Sequence, residues 1–186
     1  MMIRLAKKED IKQLIPLVMI ILHDMELPLL QKMSEHEVAR LLEEASQDET
    51  YRYSFKRALV LEKDGVIEGV AYSYPAKDEE KIDEAWEKLL ATNEPLFKDK
   101  ETMGDEWYLD SLAVRKEARG RGYGTQLLEA VYQLAYENHA PCVGLNVDKE
   151  NTKAARLYHH LGFKKVGETM LSSHHYDHLQ KEIAYN

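Results

Sequence analysis

A chain of 186 residues, 44% apolar and 31% charged, has the make-up of a folded globular protein with room for one substantial core, which excludes a disordered or fibrous chain. Its 25 basic and 33 acidic residues leave a formal charge of -8, which argues against a nucleic-acid surface and favours cationic partners. The longest apolar run, Leu14 to Leu22, contains Pro16 and is about half as long as a membrane helix requires. The first ten residues lack the apolar stretch of a secretory signal. With Cys142 as the single cysteine no internal disulfide can form, so a soluble protein of the reducing cytoplasm is expected.

In chain order, Ile3-Arg4-Leu5 predicts a first strand, and Ile11, Leu14, Ile15, Val18 and Leu22 recur at helical spacing over Glu9 to Leu22. Pro16 lies inside that pattern and should kink the helix or push its start later. Leu27-Pro28 marks an exit. Ser34 and Glu37 have the spacing of a capping box and open a second helix through Val38, Leu41 and Leu42. Ala58 to Glu62 and Val66 to Tyr74 read as a hairpin joined by Lys63-Asp64-Gly65, in which the glycine supplies a positive φ. An amphipathic helix is expected over Asp78 to Leu90 through Ile82, Ala85, Trp86 and Leu89. It belongs to a distinct acidic block, Lys77 to Glu106, with 11 acidic and 5 basic residues.

Trp107 to Val114 predicts the next strand, and Thr125 to Glu137 a helix with Leu127, Leu128, Val131, Leu134 and Ala135 on one side. Val143, Leu145 and Val147 alternate in a strand, Asn151 to Leu161 is helical, and Gly162 ends it. Phe163 to Thr169 and Tyr176 to Ile183 are closing strands that suit antiparallel pairing. The order βααββ(α)βαβαββ implies an α/β chain built around one mixed sheet.

Arg119-Gly120-Arg121-Gly122-Tyr123-Gly124-Thr125 lies between a strand and a helix, where backbone N–H groups lack helical partners and attract anions. Its three glycines expose those donors, and Arg115, Lys116, Arg119 and Arg121 add positive charge to an acidic protein. A dinucleotide-binding fingerprint would need a third glycine where Thr125 or Leu127 stands, and a Walker loop would need a lysine before its threonine, so neither fits. A glycine-rich surface loop opening a helix remains the plain alternative. About 30 residues later comes Asn151-Thr152-Lys153-Ala154-Ala155-Arg156-Leu157-Tyr158-His159-His160-Leu161-Gly162-Phe163.

Together these two segments and the strand before the loop resemble the GNAT superfamily of N-acetyltransferases. The signature loop of that family, Arg or Gln, two residues, Gly, one residue, Gly or Ala, is met by Arg119, Gly122 and Gly124. The likeness is strongest from Trp107 to Phe163 and rests mainly on element order before that. It implies one domain over residues 1–186, with a mixed, mostly antiparallel, twisted sheet of six to seven strands flanked by helices and a splayed central parallel pair. The acidic stretch at about 77–105 departs from the family as a helical insertion, a cover for the acceptor site or a homodimer contact.

The resemblance further implies acetyl-CoA as co-substrate and an amine, cationic by charge complementarity, as acceptor, with no metal, nucleic acid or membrane involved. A non-catalytic acyl-CoA sensor of the same fold is the alternative. Backbone groups of Leu112, Ala113 and Val114 would pair with the pantetheine arm, one N–H would stabilise the oxyanion, and Arg119 to Thr125 would hold the pyrophosphate. Asn151 would contact the cofactor arm. Tyr158 would be general acid to the departing thiolate, against the plainer account of a core aromatic. Asp110, Glu106 and the histidines are candidates for the base that deprotonates the amine. Asp110 comes first, with a solvent-facing strand carboxylate as its alternative. His174, His175 and His178 with Asp177 do not read as a metal site, because neighbouring strand residues face opposite ways. His159 and His160 are expected to be exposed or packing residues on the helix of Tyr158. Tyr176 is a candidate for the border of the acceptor pocket or for the core. His23, Met25 and Glu26 fall where the family builds acceptor specificity.

Overall fold

The computed structural model describes residues 1–25, 29–90, 99–171 and 174–185. Seven strands form one sheet: β1 (Met2–Leu5), β2 (Ala58–Lys63), β3 (Val66–Pro75), β4 (Trp107–Val114), β5 (Cys142–Asp148), β6 (Lys164–Leu171) and β7 (His174–Glu182), in the spatial order β1-β2-β3-β4-β5-β7-β6. All neighbours are antiparallel except β4 and β5, which are parallel and pair only at Trp107 with Val143 and Tyr108 with Gly144. Beyond those pairs the two strands part.

Alternation divides the core into two layers. Ala58, Val60, Val70 and Tyr72 face helices α1 (Ile11–Asp24) and α3 (Glu35–Ala45), while Leu59, Leu61 and Ala71 face α5 (Tyr123–Glu137). In β4 this alternation is broken once. Ser111 pairs with Tyr72 and Leu109 with Ser73, so Asp110 is the extra residue of a β-bulge. Leu109 before it and Leu112 and Val114 after it all pack on the α5 side, although they differ in parity, and Ala113 turns to the α1 side.

The predicted boundaries are recovered with informative shifts. Pro16 lies within α1 and neither ends it nor delays its start at Ile11; the ring is exposed, so the Lys12 carbonyl that loses its partner can face water. The capping box forms, with the Ser34 N–H donating to Glu37 Oε2 at 3.0 Å and the Glu37 N–H to Ser34 Oγ at 3.3 Å. A single helical turn, α2 (Leu29–Lys32), precedes it. In the hairpin both Asp64 (φ 51°) and Gly65 (φ 80°) are left-handed, as a primed turn demands.

The helix expected over Asp78 to Leu90 is two pieces, a 3-10 segment Ala76–Lys81 and the helix α4 (Glu84–Leu90). At the break the Ile82 carbonyl accepts the Arg52 N–H at 3.0 Å. Trp86 of α4 is buried and stacks on Tyr51. Among the described residues no helix is long and apolar enough to cross a membrane.

Candidate active site

Two cavities lie along the opening between β4 and β5. The larger, about 540 Å³, is bordered by Leu112, Ala113 and Val114 of β4, by Arg119, Gly120 and Gly122 to Thr125, and by Asn151, Lys153, Ala154 and Leu157 at the start of α6 (Thr152–His160). Of the predicted cofactor residues only Arg121, which is exposed, does not border it.

Backbone chemistry prepares this groove. The Arg115 N–H donates to the Glu68 carbonyl of β3 at 2.8 Å, so by antiparallel alternation Ala113 also turns its backbone groups to β3, while Leu112 and Val114 turn theirs to the gap. Gly120 and Gly122 have φ of +78° and +75°, with open space where a β-carbon would stand. The first α5 bond runs from the Gln126 N–H to the Gly122 carbonyl, and no side chain caps the helix. The N–H groups of Tyr123, Gly124 and Thr125 therefore have no helical partner and converge on the loop, an arrangement suited to a diphosphate. Arg115 is spent on the Ile67 carbonyl at 2.6 Å and stands outside this cradle.

The smaller cavity, about 230 Å³, shares Asp24, Leu112, Asn151 and Ala154 with the first and continues to Tyr158, Asp110, Glu101, Tyr108, Asn146 and Tyr176. The Asn151 side chain caps α6, accepting the Ala154 N–H at 3.1 Å. Tyr158 packs edge-on against Phe163, and burial holds its phenol above the usual range, so it stays protonated until a strong base appears beside it. Of the residues noted at the end of α1, Met25 lines the cavity. His23 faces Glu35 on the surface at 3.2 Å, and Glu26, like Leu27 and Pro28, lies outside the described residues.

Behind this cavity lies a buried charge network with Arg52 at its centre, only 3% exposed. Its guanidinium holds Asp83 at 3.1 Å, Glu101 at 2.6 Å and Asp110 at 2.5 Å. The β4 bulge is what delivers Asp110 to it, setting that side chain beside Ser111, whose hydroxyl donates to Asp110 Oδ2 at 2.6 Å. Burial pushes the Asp83 carboxyl up and the Glu101 carboxyl up to about 7, with Arg52 pulling both the other way. A chain of donors joins this cluster to the sheet. Asn146 Nδ2 donates to the Tyr108 hydroxyl at 3.0 Å, and that hydroxyl donates to Glu101 Oε2 at 3.2 Å.

Beneath the β4–β5 junction, His178 is fully buried between Glu106 Oε2 (2.9 Å) and Asn146 Oδ1 (2.7 Å). Gly144 makes room for Glu106, since a β-carbon there would fall 1.7 Å from Oε2. His174 instead meets Asp148 at 3.4 Å, and Asp177 meets Lys165 at 2.8 Å. Among the described residues no three His, Cys, Asp or Glu side chains gather as metal ligands would.

The model of the acetyltransferase (GNAT) family matches residues 23–163. The chain belongs to the GNAT acetyltransferase family. It is similar to a crystallised acetyltransferase, 42% identical with a TM-score of 0.89 over 99% of this chain and 100% of that one. It is also similar to an N-acetyltransferase from Staphylococcus aureus Mu50, 32% identical with a TM-score of 0.86 over 97% and 100%. An uncharacterized N-acetyltransferase, YobR of Bacillus subtilis (strain 168), is 38% identical over 68 residues, which are 37% of this chain and 26% of that protein; the match thus spans about a quarter of that relative's length.

The seven-stranded mixed sheet with its parallel β4–β5 pair is the GNAT fold, and the family uses acetyl-CoA. The glycine loop, β4, Asn151 and Tyr158, all legible in the sequence, are brought by the fold to one opening. Arg52, Glu101, Tyr108 and Asn146 carry no such local motif. For Arg52 one signal is present, its place between Tyr51 and Tyr53.

Proposed function

We propose that this GNAT enzyme moves the acetyl group of acetyl-CoA to a primary amine, on a cationic small molecule or on a protein or peptide, by direct attack of the amine on the thioester. The observation that carries this reading is the meeting of the two cavities at Leu112, Asn151 and Ala154, where β4 and β5 part. A diphosphate on the bare N–H groups of Tyr123 to Thr125 sends the pantetheine arm along β4. There the outward backbone groups of Leu112 and Val114 pair with it, Ala113 lines the wall, and Asn151 contacts the arm from α6.

The thioester then stands at the junction, within reach of Tyr158, whose protonated phenol supplies the leaving thiolate with a proton. The smaller cavity receives the amine. Its described lining carries four carboxylates, Asp24, Glu101, Asp110 and Asp148, and no lysine or arginine, which favours a cation. Asp110 has both oxygens engaged, one by Arg52 and one by Ser111, so in this reading it anchors the site. The acidic stretch at about 77–105 belongs to the same single domain and contributes Glu101 to the wall of the acceptor end.

The test is CoA release from acetyl-CoA with a panel of n-butylamine, spermidine, lysine amide, trifluoroethylamine and a peptide with a free N-terminus. Turnover with any of them supports the reading. Stabilisation by acetyl-CoA without transfer to any amine would make the protein an acyl-CoA sensor instead.

A further inference from the structure

An ammonium group has no lone pair, so an amine that arrives charged needs a proton acceptor beside it before it can attack. Four carboxylates border the acceptor cavity, and their partners separate them. Asp24 is exposed in water. Asp148 accepts the Glu150 N–H at 2.8 Å and faces His174 at 3.4 Å. Asp110 gives Oδ1 to Arg52 and Tyr74 and Oδ2 to Ser111. Glu101 is buried, with Oε1 on Arg52 at 2.6 Å but Oε2 met, among the described residues, only by the Tyr108 hydroxyl at 3.2 Å.

We propose that Glu101 is the catalytic base of this enzyme, its Oε2 taking the proton of the acceptor ammonium inside the smaller cavity. The inference rests on the acetyl-transfer reading and deepens it. It also gives the acidic stretch a chemical task, because Glu101 comes from its end and not from a core strand of the fold.

The electrostatics suit the task. One guanidinium faces three buried carboxylates, Asp83, Glu101 and Asp110, and cannot neutralise them all. Burial raises the Glu101 carboxyl most; Arg52 opposes, and Asp110 and Glu79 add to the rise. The phenols of Tyr74, Tyr108 and Tyr176 face the same carboxylate and bring no positive charge. A base poised at about 7 is half-ready at neutral pH and returns its proton to water easily.

The proton count closes. The first proton leaves the ammonium for Glu101 and then for solvent. The freed lone pair forms the C–N bond, the tetrahedral intermediate expels the thiolate as C–S breaks, and Tyr158 protonates that sulfur. The second nitrogen proton restores the Tyr158 phenol. Acetyl-CoA and an alkylammonium thus give an amide, CoA and one released proton.

The test is the pH dependence of kcat/KM for the panel amines in the wild type and in Glu101→Gln. The wild type should show a limb rising through about pH 7. Glu101→Gln should lose that limb and, near neutral pH, about 10²-fold in kcat/KM for n-butylamine. With trifluoroethylamine, already neutral at pH 7, most of the deficit should vanish, which a merely structural defect would not do. A deficit equal for both amines and at every pH overturns the proposal, and so does a flat wild-type profile, which requires no variant to fold. Failure of the wild type to acetylate any panel amine strikes the acetyl-transfer reading first and the role of Glu101 with it; a flat profile in an active enzyme strikes Glu101 alone.

Discussion

The two ends of the cleft are built on opposite principles. The larger cavity presents backbone: bare N–H groups, two left-handed glycines and strand edges, held by one continuous stretch of chain from Leu112 to Thr125. The smaller cavity presents side chains from distant elements, Glu101 from the acidic stretch, Asp110 from β4 and Asn146 from β5, and Arg52 before the hairpin holds two of them from behind together with Asp83. A backbone site tolerates many side chains around it and depends on a few conformations. A buried charge network depends on every member, because removing one leaves its partners uncompensated in a low dielectric.

The sharpest way to break that contrast is at Arg52. Arg52→Ala leaves three carboxylates buried without their cation and should cost about 3–5 kcal/mol of stability, read by urea denaturation. A loss below about 1 kcal/mol would mean the network is hydrated and not sealed. Tyr158→Phe should lower kcat by about 10²-fold with the thermal midpoint and the Kd for acetyl-CoA nearly unchanged, because the ring keeps its contact with Phe163. Unchanged turnover would remove the phenol from the chemistry. Gly122→Val should act at the other end only. A β-branched residue at φ +75° is strained by about 1–2 kcal/mol, and the displaced loop should weaken acetyl-CoA binding about tenfold, with the KM for the amine untouched. An equal effect on both substrates would show that the two cavities are coupled.

The same contrast explains what the sequence disclosed. Glycines at 120, 122 and 124, the alternating strand before them and Asn151 to Tyr158 are local patterns, and local patterns fix local geometry. The hairpin, the capping box at Ser34 and most element boundaries were legible for that reason. The bulge at Asp110 was not, since it is defined by the partner strand: only the pairing of Ser73 with Leu109 shows that one residue is extra. An alternation argument applied to β4 from one end therefore assigns the wrong face at the other. Arg52 was hidden for a related cause, as its three partners lie 31, 49 and 58 residues away and none of those spacings is periodic. The helix over 78–90 likewise reads as continuous in sequence, whereas the fold divides it at Ile82, whose carbonyl accepts an N–H from distant Arg52.

A series of melts against pH gives the finest comparison, because it asks whether one end of the cleft senses pH while the other ignores it. Burial lifts the Glu101 carboxyl from its ordinary 4.5 to about 7 in the folded protein, so folding favours the protonated form. Its contribution to stability is fully present below pH 4.5 and is lost as pH rises through about 7, where the folded chain must carry the charge. The amide introduced by Glu101→Gln stays neutral at every pH. The thermal midpoint of Glu101→Gln minus that of the wild type should therefore climb across this window and level off above it, by roughly 10 °C, since the rise from 4.5 to about 7 corresponds to about 3 kcal/mol and each kcal/mol moves the midpoint of a chain this size by roughly 2–4 °C. The corresponding difference for Gly122→Val, which touches no titrating group, should stay constant over the same range. If the two differences run parallel in a series of melts, Arg52 already neutralises Glu101 in the folded state and the acceptor end is no more responsive to pH than the glycine loop.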